Sequence, residues 1–349
     1  MSERSDATPP ASASHWLRNL AWALAGIATI VGSGWLFAHY TGGIDHALDL
    51  AGQISPARWL VVAALTFGFY ALDWLRYYTL FRLLGHRFRF RLGLELVAIS
   101  YLVSSLTPSA ELHLPVMVII LVHRGYPVAH ATAATVTKSI YMVMWVIVAG
   151  LVGLRAADAG RVPAVIDDHL VLWLATPVAI VLLLGAVVVA PGPIHRWCAR
   201  RLARPGGRPW ARKVVEVIDK LPTSLAMIAR SRRGMHAAAH GACLAFIGAY
   251  VAIGHVIATG VGVATDARAS FAANAVGLMV SYVAPVPGSI GVTEAATAHL
   301  LDPTMGPPAM TAAILVRICT WYLGAVIGAL LLMLELRRIG WKRFRGEAA

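Results

Sequence analysis

Five ionisable residues stand where an apolar chain is expected to carry none: Glu111, His113, Lys138, Glu294 and Arg317. Inside a bilayer such groups are costly, so each must face a partner, a cavity or a substrate. Lys138 and Arg317 are 179 positions apart, and so are Pro108 and Pro287. Two cations at matching places in two copies of one pattern suit an anionic headgroup. Phosphate is the first candidate, because arginine meets it with a planar fork and lysine as a point charge. The competing reading is structural: Glu294 with Arg317, and Glu111 with Lys138, form internal ion pairs. Glu294, Glu111 or His113 could also carry a coupling proton, histidine titrating nearest neutrality. Asp73 and Arg76 share a helix face. They either reach the headgroup or pair with each other while Arg76 snorkels to the interface. Ser289 and Thr293, with Asn274, Ser281 and Tyr282, add hydrogen-bonding groups.

The elements that would position these residues are broken helices. Between Ser281 and Glu294 an apolar region holds Pro285, Pro287, Gly288 and Gly291. Prolines remove backbone donors and glycines loosen the chain, so no continuous membrane helix is expected there. Residues 107–115 repeat the theme with Pro108 and Pro115. Broken backbone at membrane depth survives only where protein buries it or a wet cavity hydrates it. Both stretches are read as tips of re-entrant hairpins, about 94–122 and 270–301. Returning half-helices would start near Ser109 and Ser289, adding free N–H groups and a positive dipole end.

The background supports a membrane protein. The 349 residues are 58% hydrophobic and 13% charged, which excludes an ordinary soluble domain. The net charge of +13 gathers at the ends of apolar runs, as membrane orientation requires, so no nucleic-acid partner is expected. Six spans are expected, over about 16–40, 58–81, 128–154, 170–190, 236–259 and 308–336. Residues 1–15 read as a disordered tail, 16–169 as a first membrane repeat and 170–336 as a second. A loop over 191–235 holds eleven Lys and Arg residues up to Gly234, and 337–349 form a basic tail. Basic flanks put both termini and that loop in the cytoplasm. They also make the first hairpin enter from the cytoplasm and the second from outside. The fold class is therefore an all-α polytopic membrane protein with about six transmembrane helices and two re-entrant hairpins in an inverted-topology repeat, an arrangement that serves alternating access.

Cys198, Cys243 and Cys319 are scattered, and His236, His240 and His255 lack zinc-site spacing. A P-loop, a dinucleotide fingerprint, a Gly-x-Ser-x-Gly elbow and an HExxH helix are all absent. No cofactor, metal or catalytic role is expected, and the partners are membrane lipids, including anionic headgroups. Two alternatives stay open. One is an integral-membrane transferase acting on a lipid-linked substrate. The other is a non-transporting scaffold that recruits envelope-biosynthesis enzymes through Arg200, Arg201 and Arg204.

Residues 287–294, Pro-Gly-Ser-Ile-Gly-Val-Thr-Glu, resemble the Pro-Gly-Gly-x-Gly-x-x-Glu motif of a flippase-like membrane family. That family is typified by the transmembrane domain of bacterial lysyl-phosphatidylglycerol synthases. The resemblance runs from about Trp16 to Leu336. It includes Arg76 with residues 80–85, and Thr107-Pro108 leading to residues 121–125. It implies a multi-pass inner-membrane protein that moves a lipid or lipid-linked group between leaflets. Two departures stand out. Ser289 replaces the motif's second glycine, and Leu114 stands where many relatives carry an acidic residue before the proline. With no soluble synthase domain following, aminoacyl transfer is not expected.

Overall fold

The computed structural model describes residue 35 and residues 44–107, 113–157, 220–231, 233–261, 265–284 and 286–344, with 44–47 and 335–344 as backbone only. The expected spans at 16–40 and 170–190, most of the basic loop, Glu111, Pro108 and Pro285 lie outside these residues.

The described chain is helical throughout, without strands. A short α1 (Ile44–Gln53) precedes α2 (Pro56–Leu83). The first interrupted pair is α3 (Phe90–Leu106) and α4 (Leu114–His123), followed by α5 (Val128–Ala156). Helical residues 220–229 lead to α6 (Arg233–Gly260). The second interrupted pair is α7 (Ala267–Val283) and α8 (Val292–Met305), joined through a single 3₁₀ turn, Pro287–Ser289. The last helix begins as α9 (Pro308–Arg317), passes through a π-turn (Ile318–Tyr322) and continues as α10 (Leu323–Phe344).

Four helical stretches are long and apolar enough to cross a membrane: Pro56–Leu83, Val128–Ala156, Arg233–Gly260 and Pro308–Leu334. They occupy four of the six expected spans. At about 1.5 Å per residue, α3, α4, α7 and α8 are each too short to cross about 30 Å of hydrocarbon. The helix starts follow local chemistry. Ser55 accepts from the Arg58 N–H before Pro56 opens α2, and Asp266 accepts from the Arg268 N–H before α7. Pro115 lies in the first turn of α4, where its missing N–H costs nothing. It thus stands at the helix start that follows the interruption. α8 begins at Val292, later than the expected Ser289, whereas the expected start near Ser109 falls outside the described residues.

Packing follows a crossed pattern. α2 packs on α6, α5 on α7, and α10 on α3. α5 links the open ends of the two interrupted pairs. Near its start, Arg124 after α4 reaches Glu95 early in α3 at 2.9 Å, and the His86 and His130 rings meet at 2.7 Å. Near its end, Arg268 at the start of α7 donates to the Ala156 carbonyl at 2.9 Å, and Leu300 of α8 shares that cleft. The two pairs therefore open at opposite ends of one 29-residue helix.

Without water to drive association, membrane helices pack where small residues let backbones approach. At the α3–α10 crossing, a Cβ added to Gly328 would lie 2.1 Å from the Ala98 carbonyl oxygen. Gly328→Ala is therefore expected to destabilise the protein by about 1–3 kcal/mol despite its better helix propensity. Gly248, with nothing within 4 Å of an added Cβ, is the control. Gly248→Ala should leave the thermal midpoint in detergent unchanged or raised, while Gly328→Ala lowers it.

Candidate functional site

Two buried ion clusters form on these elements. The first centres on Asp73 of α2. Its Oδ1 lies 3.0 Å from Nη1 of Arg76, one turn later, and 2.7 Å from Nζ of Lys138 on α5. All three residues are at most 5% exposed. Lys138 also lies over the Tyr77 ring at 4.2 Å, and Arg76 over Phe246 of α6 at 4.9 Å. These contacts disperse charge against aromatic faces. His113, beside the break before α4, is near enough to act electrostatically on Asp73 and sits 3.2 Å from the Ser104 hydroxyl. Arg76 does not snorkel: at 4% exposure it is held inside by Asp73 and Phe246. Among the described residues Lys138 pairs with Asp73; the expected pairing with Glu111 lies outside them.

The second cluster centres on Glu294, in the first turn of α8. Oε2 accepts the N–H of Gly291, the residue that caps the helix, at 3.0 Å. Oε1 accepts from the Tyr322 hydroxyl at 2.5 Å and from Arg317 Nε at 3.4 Å. The half-helix N-terminus thus already has a carboxylate on it, supplied by its own third residue. Arg317 donates through Nη2 to the Gly288 carbonyl at 2.5 Å and lies over the Trp321 ring at 4.6 Å. Glu294 and Arg317 are both 1% exposed.

The turn beneath this pair is shaped by positive φ at Gly288 (59°), Ser289 (53°) and Gly291 (83°). Glycine takes this conformation freely, whereas serine costs about 1–2 kcal/mol there. Ser289, the residue that departs from the family pattern, offsets that cost by donating its hydroxyl to the Ser281 carbonyl at 2.7 Å, near the end of α7. Thr293 is fully buried beside Glu294.

The two interruptions touch. The Gly288 N–H points at the Thr107 carbonyl, 3.4 Å away, and a Cβ on Gly288 would come within 3.1 Å of Ser105 Cα. Trp321 donates to the Ser105 hydroxyl at 2.8 Å and packs edge-on against Tyr101 of α3. Tyr70 of α2 packs edge-on against the same Tyr101. Its hydroxyl donates to the Thr320 carbonyl at 3.1 Å and reaches that of Cys319 at 3.3 Å. Those carbonyls lie in the π-turn, whose wider register presents Trp321 and Tyr322 to the Glu294–Arg317 pair. No group of three His, Cys, Asp or Glu side chains with metal-binding geometry occurs among the described residues.

Asp73, weighed above only together with Arg76, is central to the arrangement, as are Tyr70, Tyr101, Trp321 and Tyr322, which carried no expectation. The Asp73–Arg76 spacing was the one legible sign; the others depend on a register shift and on contacts more than 200 residues apart.

Interrupted short helices between full-length apolar ones, with paired charges buried where they meet, define a polytopic integral membrane protein. Within that class, the family model for the lysylphosphatidylglycerol synthase TM region matches residues 20–328, and the chain belongs to that family. Comparison with curated proteins and with solved structures finds no match.

Removing one partner of a buried ion pair costs about 3–5 kcal/mol when it strands a charge. Asp73→Asn removes the described carboxylate from both Arg76 and Lys138, whereas Lys138→Met leaves the Asp73–Arg76 pair in place. Asp73→Asn should therefore be much the more destabilising in detergent melts. Adding Lys138→Met to Asp73→Asn should recover part of the loss; equal destabilisation by the two single variants would contradict this asymmetry.

Proposed function

We propose that this protein is a lipid translocator that moves a lipid bearing a polar or anionic headgroup between the leaflets of a bacterial inner membrane, and is not an enzyme. The observation that carries the reading is a pair of buried guanidinium donors without a protein acceptor. Among the described residues, Arg76 Nε and Arg317 Nη1 are buried and have no acceptor. Buried guanidinium N–H groups are normally satisfied, so each cluster retains capacity for an oxygen-rich ligand. Lys138 adds a cation beside the first, and Glu294, Ser289 and Thr293 line the second.

In this reading α3/α4 and α7/α8 are re-entrant hairpins entering from opposite faces, and the two halves form an inverted repeat. Three features support it. The pairs open at opposite ends of α5, their interruptions meet at Gly288 and Ser105, and the crossed packing of α5 on α7 and α10 on α3 exchanges equivalent elements between halves. Such repeats place a binding site between broken helices and alternate its exposure by rocking one half against the other. In the present arrangement the hydrogen bonds from Trp321 and Gly288 to α3 and its end hold the interruptions together. Exposure to either leaflet requires that contact to part. The basic ends of the spans orient both termini to the cytoplasm.

The test is leaflet-resolved exchange of labelled lipids in proteoliposomes, comparing phosphatidylglycerol, an aminoacylated phosphatidylglycerol, a polyprenyl phosphate and a neutral lipid. Wild type should move at least one of the headgroup-bearing lipids. Lys138→Met, which keeps the Asp73–Arg76 pair, should slow it at least tenfold without loss of insertion, and Glu294→Ala and Arg317→Ala should abolish it. Unchanged rates in all three variants would overturn the site. No exchange of any of the lipids by correctly inserted wild type would overturn the function.

A further inference from the structure

The open end of the first interrupted pair carries an arrangement that translocation does not use. A cavity of about 270 Å³ is lined by Arg89, Arg91, Leu92, Glu95 and Arg124. Three guanidinium groups thus surround one carboxylate. Glu95 is nearly buried and holds two of them in place, with Oε1 3.1 Å from Arg91 Nε and Oε2 2.9 Å from Arg124 Nη2. A merely solvated basic face would spread its long side chains into water. Here Arg91, though largely exposed, turns its Nε onto Glu95 and Arg124 its Nη2, and the residues lining the hollow carry three cations against one carboxylate.

We infer that this hollow is a binding site for a phosphate group, as a free anion or as the phosphodiester of an anionic lipid. Arginine forks match phosphate oxygens in pairs, and Glu95 presents Arg91 and Arg124 without cancelling the whole charge. The cavity also adjoins the first turn of α3. Arg89 caps that helix without offering a side-chain acceptor, so its leading amides keep their pull on an anion. The volume falls just under the range typical of small-molecule pockets and fits a headgroup fragment better than a whole lipid. The site is distinct from the two buried clusters. It joins the segment before α3 to the segment after α4, where Tyr126 already donates to the Arg87 carbonyl at 2.9 Å. A bound phosphate would clamp this end of the interrupted pair closed. The inference stands whether or not the protein moves lipid.

The experiment uses the full chain. Equilibrium dialysis in a neutral detergent measures binding of radiolabelled orthophosphate. Nanodiscs of phosphatidylcholine with increasing phosphatidylglycerol, read by native mass spectrometry, measure retained anionic lipid. At 80% side-chain exposure, Arg91 can be changed without touching the core. Each charge-assisted bond to a charged group is worth about tenfold in affinity. Arg91→Gln should weaken binding about tenfold and Arg89→Gln/Arg91→Gln more, with an unchanged melting midpoint and with loss of binding at high salt. Saturable orthophosphate binding that the variants weaken identifies a free phosphate ligand. Saturable retention of phosphatidylglycerol alone, weakened by the same variants, identifies a lipid headgroup. Absence of saturable binding to both probes, or affinities unchanged in the double variant, would overturn the inference.

Discussion

A guanidinium that is 1% exposed inside an apolar bundle must be neutralised on the spot, and the second half of this protein is arranged around that requirement at Arg317. The idealised cost of moving such an ion out of water is of order 20 kcal/mol, and several kcal/mol remain even after relaxation. Glu294 answers the charge with one carboxylate oxygen, and the Gly288 carbonyl answers it at the other end of the fork. Both acceptors exist only because the chain between α7 and α8 is broken. A continuous helix would have consumed the Gly288 carbonyl in its own ladder, and Glu294 would have had no free N-terminus to brace its second oxygen. The break and the ion pair are therefore one device.

The same demand explains the distortion in the last helix. Trp321 and Tyr322 follow Arg317 by four and five positions, and both rings or their polar ends meet the Glu294–Arg317 pair. A regular helix turns through about 100° per residue and would present that face less completely. The π-turn widens the arc, leaving backbone carbonyls off the regular ladder. Tyr70 on α2 reaches those carbonyls. Asp73 and Arg76 stand one and two turns further along the same helix as Tyr70. A single helix thus braces the second cluster and builds the first.

Much of this was legible in the amino-acid sequence, for a reason that is physical. Charges and prolines inside apolar runs are rare because hydrocarbon penalises both, so Lys138, Glu294, Arg317 and the run from Pro287 to Gly291 announce themselves. The four described crossing helices follow from the lengths of apolar runs alone. Partners were harder. Asp73 shares a helix face with Arg76, which left a headgroup contact and a local pair both open; its contact with Lys138 of α5 is one that no local spacing reveals. The role of Tyr70 and Trp321 depends on the π-turn, and a one-residue register shift leaves no mark on hydrophobic periodicity. Ser289 was noticed as a departure from a motif. That its φ is positive, and that its hydroxyl repays the strain by satisfying Ser281, belongs to the fold and not to composition.

The two clusters are not copies of one another, although Lys138 and Arg317 are matched in the proposed repeat. At Glu294 one described carboxylate faces one described guanidinium. At Asp73 one described carboxylate faces two cations, with His113 close by. A neutral pair resists disruption, because separating it creates two buried charges. At Asp73 the Arg76 contact lies within one turn of α2 and does not depend on the lysine. The second cluster is tied to the broken backbone through Gly288 and Gly291, whereas the first joins two continuous helices. Tyr101, packed against Trp321 on one side and Tyr70 on the other, lies between them. Any motion that separates Gly288 from Ser105 must repack that ring, and so is felt at both clusters.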